Sequence, residues 1–284
     1  MQKIKKILFP TDFSETAQNA FRYCIAIADR YEASIELLHV VFPEYEALDL
    51  PVMAAQATKE RVELAQALAK TFVETALAQV QAAGTLEHAP VIKAAVEIGT
   101  PGNVIVELAR RDEIDLIVIG TRGEHSAFEH LFGSVTTAVA QKAPCHVWIV
   151  PENSRLGQID IVAYASNLTE GDPYHIWEVG KILESFSPII HCVHVNNEHS
   201  TDRVLDFASL GAFFEHHAPA LQINFHVLAG TSVEEAIAEF VDTHDVDVLV
   251  MYTAQQSWLD RLFRKSYTRS MAFATHVPLF ILKK

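Results

Sequence analysis

The 284 residues repeat themselves, and that duplication constrains the fold more than any other feature. Lys6-Ile7-Leu8-Phe9-Pro10-Thr11-Asp12-Phe13-Ser14 is answered by Asp160-Ile161-Val162-Ala163-Tyr164-Ala165-Ser166-Asn167-Leu168-Thr169. Ile35-Glu36-Leu37-Leu38-His39-Val40 returns as Ile190-His191-Cys192-Val193-His194-Val195. Val96-Glu97-Ile98-Gly99-Thr100 returns as Val227-Leu228-Ala229-Gly230-Thr231, and Ile114-Asp115-Leu116-Ile117-Val118-Ile119 as Val246-Asp247-Val248-Leu249-Val250-Met251. Each half closes on a short apolar strand, Cys145-His146-Val147-Trp148-Ile149-Val150 and Pro278-Leu279-Phe280-Ile281-Leu282. The stretch Pro151–Gln158 between them has linker composition. The expected domains are 1–150 and 159–284, a length that suits two α/β units.

Short β-branched strands alternate with helical stretches, the signature of parallel βαβ units. The clearest helix covers Thr58 to Ala83, with Val62, Leu64, Ala65, Leu68, Phe72, Val73, Ala76, Leu77 and Val80 on its apolar face. Each half therefore reads as an open, doubly wound, Rossmann-like sheet of about five parallel strands. Ligands of such sheets sit beyond the carboxyl ends of the strands, where strand order reverses. If the first and fourth strands flank that reversal, Asp12 and Gly120 line one crevice.

A glycine pattern falls at that place. The buried run Ile117-Val118-Ile119 empties into Gly120-Thr121-Arg122-Gly123, and after nine residues Gly133-Ser134-Val135-Thr136 opens a helix. Glycines admit a ligand close to the backbone, and unpaired N–H groups at a helix start favour an anion. The run is neither a P-loop, lacking GK[ST], nor the GxGxxG dinucleotide fingerprint. It is a phosphate cradle or plain strand–helix punctuation.

Composition excludes several classes. A formal charge of −14 argues against a nucleic-acid partner, which needs clustered Lys and Arg. No apolar run is long enough to span a bilayer, and the start passes directly into a strand with no secretory h-region. Cys24, Cys145 and Cys192 are isolated, as buried thiols of a reducing, cytoplasmic compartment would be. His216-His217 with His226, and His125 with His130, lack zinc spacing, so no metal is expected.

The run Pro10-Thr11-Asp12-Phe13-Ser14-Glu15-Thr16-Ala17, the strand Leu37-Leu38-His39-Val40 and the spacing Gly120-x2-Gly123-x9-Gly133-Ser134 resemble the universal stress proteins, in tandem and of the nucleotide-binding kind. The resemblance implies an ATP or AMP site, with Mg²⁺ left open. By that likeness Pro10, Thr11 and Asp12 meet adenine and ribose, and the Val40 backbone reads the adenine edge. Gly120, Thr121, Arg122 and Gly123 take ribose and phosphate, and Gly133, Ser134, Val135 and Thr136 hold phosphates. It also implies that the last strand of each half pairs with its counterpart, making a pseudo-dimer; a homodimer of the whole chain stays open. The residues themselves leave alternatives. Asp12 also suits a helix cap, and Arg122 a solvated loop.

The second half departs where it matters. Asn167 stands for the aspartate, Tyr252 and Gln255 for the turn glycines, and Arg264-Lys265-Ser266 for the glycine–serine start. A tyrosine cannot give a phosphate the same close approach. The second half is therefore expected to lack the nucleotide, and Arg261, Arg264, Lys265 and Arg269 remain as a local basic cluster. Three functions compete: a non-catalytic, nucleotide-binding stress regulator or sensor, a slow ATPase, and a ligand-free interaction protein. With no Walker-type lysine, and only Asp12, Glu124, His125 and Glu129 near the phosphates, the first is preferred over an enzyme.

Overall fold

The computed structural model describes residues 3–43, 51–84, 86–121, 132–154, 158–196, 205–230, 232–252 and 276–283. They group into two compact units, one running to Glu152 and the other from Asn153 to Leu282. The first unit runs β1 (Lys6–Pro10), α1 (Glu15–Tyr31), β2 (Ser34–Val41), α2 (Pro51–Ala82), β3 (Ile92–Ile98), α3 (Pro101–Arg111), β4 (Leu116–Gly120), α4 (Ser134–Lys142) and β5 (His146–Val150). The second runs β6 (Ile161–Ala165), α5 (Asp172–Ile182), β7 (Ile189–Asn196), α6 (Phe207–His217), β8 (Ile223–Ala229), α7 (Val233–Thr243), β9 (Val248–Tyr252) and β10 (Leu279–Leu282).

Each unit is a five-stranded parallel sheet, as the alternation of strands and helices predicts. The orders are β3-β2-β1-β4-β5 and β8-β7-β6-β9-β10. Strand order thus reverses between β1 and β4, and again between β6 and β9. Ile7, Leu8 and Phe9 of β1 and Leu116, Ile117 and Val118 of β4 are fully buried. Continuous apolar runs of this kind belong to parallel strands covered on both faces.

A carboxylate pins each reversal. Asp115, just before β4, accepts from the backbone N–H groups of Lys5 and Lys6 at 2.8 and 2.9 Å. Asp247, just before β9, accepts from those of Asp160 and Ile161, both at 2.8 Å. Charge-assisted bonds at this point hold the fourth strand of each unit against the first. The duplicated Ile-Asp and Val-Asp pairs in the sequence mark the device, but their role is visible only in three dimensions.

Helix α1 buries Ala17, Phe21, Cys24, Ala28 and Tyr31 at alternating steps of four and three residues, with Ala20, Tyr23, Ile25 and Ile27 widening the face. It stops at Glu32, whose left-handed φ of 53° turns its N–H back onto the Ala28 and Asp29 carbonyls. The Phe21 ring lies 4.8 Å from Phe9 and 5.3 Å from Phe72 of α2. Each such aromatic pair adds about 1 kcal/mol beyond its buried area.

The face of α2 is narrower than its apolar residues suggest. Ala65, Ala69, Phe72, Ala76 and Val80 are buried, whereas Leu64 and Leu68 are 60 and 45% exposed. The buried set repeats at 4, 3, 4 and 4 residues, a true helical stripe. Leu64 and Leu68 stand about 100° round the helix from it. Small alanines on the inner side set the approach of the helix, leaving those larger side chains outside.

Candidate functional site

In the first unit Pro10, Thr11 and Asp12 follow the carboxyl end of β1, and Gly120, Thr121 and the start of α4 follow that of β4, on either side of the reversal. The loop after β1 begins at Thr11, whose N–H donates to the Leu38 carbonyl at 2.9 Å. Its hydroxyl accepts from the Phe13 N–H at 2.9 Å, and its carbonyl lies 2.9 Å from Nδ1 of His39. Phe13 takes a left-handed φ of 65° and stacks on the His39 ring at 4.5 Å. Thr11 and His39 therefore shape the loop from within.

Asp12 emerges from that loop exposed. Its Oδ1 accepts from the Ser14 N–H at 3.1 Å and the Ser14 hydroxyl at 2.6 Å. The N-cap of α1 is Ser14, whose hydroxyl accepts from the Ala17 N–H at 3.2 Å. The capping alternative for Asp12 thus takes a modified form, in which the aspartate orients the cap two residues on.

Across the reversal, the end of β4 and the start of α4 are clamped together. The Gly133 N–H donates to the Thr121 carbonyl at 2.7 Å, and the Thr136 hydroxyl to the Gly120 carbonyl at 2.8 Å. Thr121 also donates its N–H to the Val150 carbonyl at 3.2 Å. Thr136 is only 4% exposed. A hydroxyl has one proton, and that of Thr136 goes to the Gly120 carbonyl, so its side chain positions the helix start. Thr121 likewise holds the turn.

What faces outward is the helix start itself. Gly133 is the N-cap of α4, with no side-chain bond to the first turn. Its φ of −66° and ψ of 161° are extended, so glycine serves here by its missing side chain and not by a left-handed turn. The first backbone bond of the helix runs from Thr137 N–H to the Gly133 carbonyl. The N–H groups of Ser134, Val135 and Thr136 therefore have no intrahelical acceptor. Ser134 is exposed, and Gly120 and Val135 are half-buried. Pro10 ends β1, and Val40 lies half-buried near the end of β2. Arg122 and Gly123 lie outside the described residues, as do Glu124, His125, Glu129 and His130.

The second unit keeps the devices that build the loop and changes those that face outward. Ser166 replaces Thr11: its hydroxyl accepts from the Leu168 N–H at 3.0 Å, and its carbonyl lies 2.9 Å from Nδ1 of His194. Leu168 repeats the left-handed φ, at 57°. Buried Asp172 accepts from Tyr164 Oη, Ser166 Oγ and Thr169 N at 2.7, 2.9 and 2.8 Å. At the end of β9, Tyr252 takes the place of Gly120. Its ring stacks on the His175 imidazole, centroids 3.6 Å apart and planes 23° apart. Gln255, Arg261, Arg264, Lys265, Ser266 and Arg269 lie outside the described residues.

Other sequence candidates find simpler settings. Cys24 and Cys192 are buried free thiols, and Cys145 is half-buried; burial pushes the Cys145 thiol up to about 12. His216 and His217 end α6, exposed. His226 turns instead to His191, 2.8 Å away. Among the described residues no three His, Cys, Asp or Glu side chains are arranged to hold a metal ion, and no helix is long and apolar enough to cross a membrane.

Comparison with known proteins agrees with this architecture. The profile of the universal stress protein family matches residues 3–151. Over 150 residues the chain is 32% identical to universal stress protein MJ0531 of Methanocaldococcus jannaschii, covering 51% of this chain and 81% of that protein. Over 152 residues it is 31% identical to MJ0577 of the same organism, covering 51 and 94%. The crystal structure of a universal stress protein from Archaeoglobus fulgidus covers 99% of this chain and 97% of its own, with a TM-score of 0.71 at 18% identity. That last likeness is one of fold.

Proposed function

This chain belongs to the universal stress protein family, and we propose that its first unit binds one adenine nucleotide, ATP or AMP, as a stress-response regulator or sensor that does not turn the nucleotide over. The clamp between β4 and α4 carries the reading. It sets an uncapped helix start at the strand-order reversal, one strand from the exposed Asp12 carboxylate. The N–H groups of Ser134, Val135 and Thr136 and the Ser134 hydroxyl would take phosphate oxygens, favoured by the helix dipole. Asp12 would accept from ribose or adenine donors. A Mg²⁺ accompanying the nucleotide would take its protein ligand from Asp12 or Glu124.

Two observations support placing the nucleotide in the first unit alone. Tyr252 and His175 fill with stacked rings the position that Gly120 leaves bare, and Asn167 carries no charge where Asp12 does. Binding without turnover follows from the donor set. Backbone N–H groups and a hydroxyl stabilise bound phosphate, whereas phosphoryl transfer needs Lys, Arg and metal charge on the moving group and an oriented nucleophile. Calorimetry of the full chain with ATP and with AMP is expected to give one site per chain, with hydrolysis well below about 1 per second, the low end for enzymes. Two equivalent sites, or none, would overturn the placement; turnover at that rate, lost in Asp12→Ala, would make the protein an ATPase.

A further inference from the structure

Beyond nucleotide binding, we infer that the second unit carries an acid-responsive latch: the clustered rings of His191, His226 and His244 hold α7 against β7 and β8, and protonation of the His191–His226 pair releases it. The three come from three elements. His191 lies on β7, His226 diagonally across on β8, and His244 caps the end of α7. Nδ1 of His191 and Nε2 of His226 are 2.8 Å apart, so one ring donates and the other accepts through a lone pair. The ring centroids lie 4.9 Å apart for His191–His226, 5.6 Å for His191–His244 and 5.5 Å for His226–His244. Phe240 of α7 stacks on His244 at 3.9 Å and lies 4.9 Å from His226.

A second proton on the His191–His226 pair removes its acceptor and puts like charges in contact, in a half-buried site. Burial first, then the neighbouring imidazoles, hold His191 and His226 below the ordinary histidine range. The other elements supply no counter-charge among the described residues: β6 places Ala163 and β8 Asn224 beside His191. On α7 and its end, Glu239, Asp242 and Asp245 are exposed, Asp242 lying 3.6 Å from His276. Glu234, buried at the far end of α7, accepts from Ser232. In the first unit Glu36 of β2 stands at the position of His191, Ala95 of β3 at that of His226, and Asp112, joined to Arg111 at 2.8 Å, at that of His244, so the histidine triad belongs to the second unit alone.

For groups depressed in the folded state, the unfolded chain binds protons first. The stability they confer is complete above their unfolded value, about 6.5, and is lost as pH falls through and below it. Hydrogen exchange of the full chain, corrected for the intrinsic pH dependence of exchange, is expected to show protection of α7 falling between about pH 7.5 and about pH 5. In a His191→Gln/His226→Gln double variant the fall should disappear. Protection unchanged by acid in the wild type, or lost equally in the folded double variant, would overturn the latch. Should the variant fail to fold, proton NMR of the wild type decides. His191 and His226 titrating below the ordinary imidazole value of about 6.5 supports the latch, and titration at or above it refutes it.

Discussion

At the scale of single residues, the two copies show which side chains build a unit and which change between them. Asp115 and Asp247 each gather two backbone N–H groups of the first strand of their unit. Asp115→Ala is expected to cost about 2 kcal/mol, the net worth of hydrogen bonds to a charged acceptor, read as a lower urea midpoint at unchanged slope. Asp12 and Gly120, by contrast, become Asn167 and Tyr252 while the surrounding loop keeps its form. Their place at the strand reversal was legible because an aspartate and spaced glycines are local signals. The commitment of Thr136 was not, since its acceptor is the carbonyl of Gly120, 16 residues back. Thr136→Val should therefore lower stability by about 1 kcal/mol as well as weakening nucleotide binding, whereas Ser134→Ala should weaken binding alone. Gly133→Val should abolish binding with circular dichroism unchanged, because its branches would cover the helix start and not the core. Calorimetry beside urea melts of these variants separates positioning from contact.

At the scale of elements, periodicity predicted the helices better than the faces they bury. Helix α2 was legible from its apolar content, yet only one stripe of it meets the sheet. Ala69, which that content did not single out, is fully buried, and Leu64 and Leu68 are not. Ala69→Leu is expected to destabilise by about 1–3 kcal/mol through overpacking, while Leu64→Gln and Leu68→Gln should each stay within about 0.5 kcal/mol. Urea melts check both; a larger cost at Leu64 than at Ala69 would reverse the assignment. The capping of α1 follows the same lesson. Asp12, Ser14 and Ala17 lie within six residues, so a capped start was readable, but which oxygen caps was decided by the left-handed turn at Phe13.

For the whole molecule, the duplication proposes its own completion. β5 is the last strand of the first unit and β10 the last of the second, and Val147-Trp148-Ile149-Val150 and Leu279-Phe280-Ile281-Leu282 are wholly apolar. Unpaired apolar edges invite aggregation unless another strand covers them. Pairing of these two edges within one chain would cover both at once and give the pseudo-dimer that the family resemblance implies. The expected result is a monodisperse chain by light scattering, with slow amide exchange along both strands on their outward as well as inward sides. Rapid exchange on the outward sides of both would refute the pairing.

The sequence by itself determined the tandem α/β plan, the parallel sheets and the place of strand reversal. These follow from apolar period, turn residues and repetition, which are properties of neighbouring positions. Tertiary structure alone decided how individual residues are employed. Asp115 reaches Lys5 across 110 positions, Thr136 is spent on a carbonyl, Tyr252 meets His175 as a stacked pair, and three histidines from separate elements become neighbours. Hydrogen-bond partners and ring contacts depend on the register of distant strands and on which side of a helix faces the sheet. No local pattern of residues carries that information.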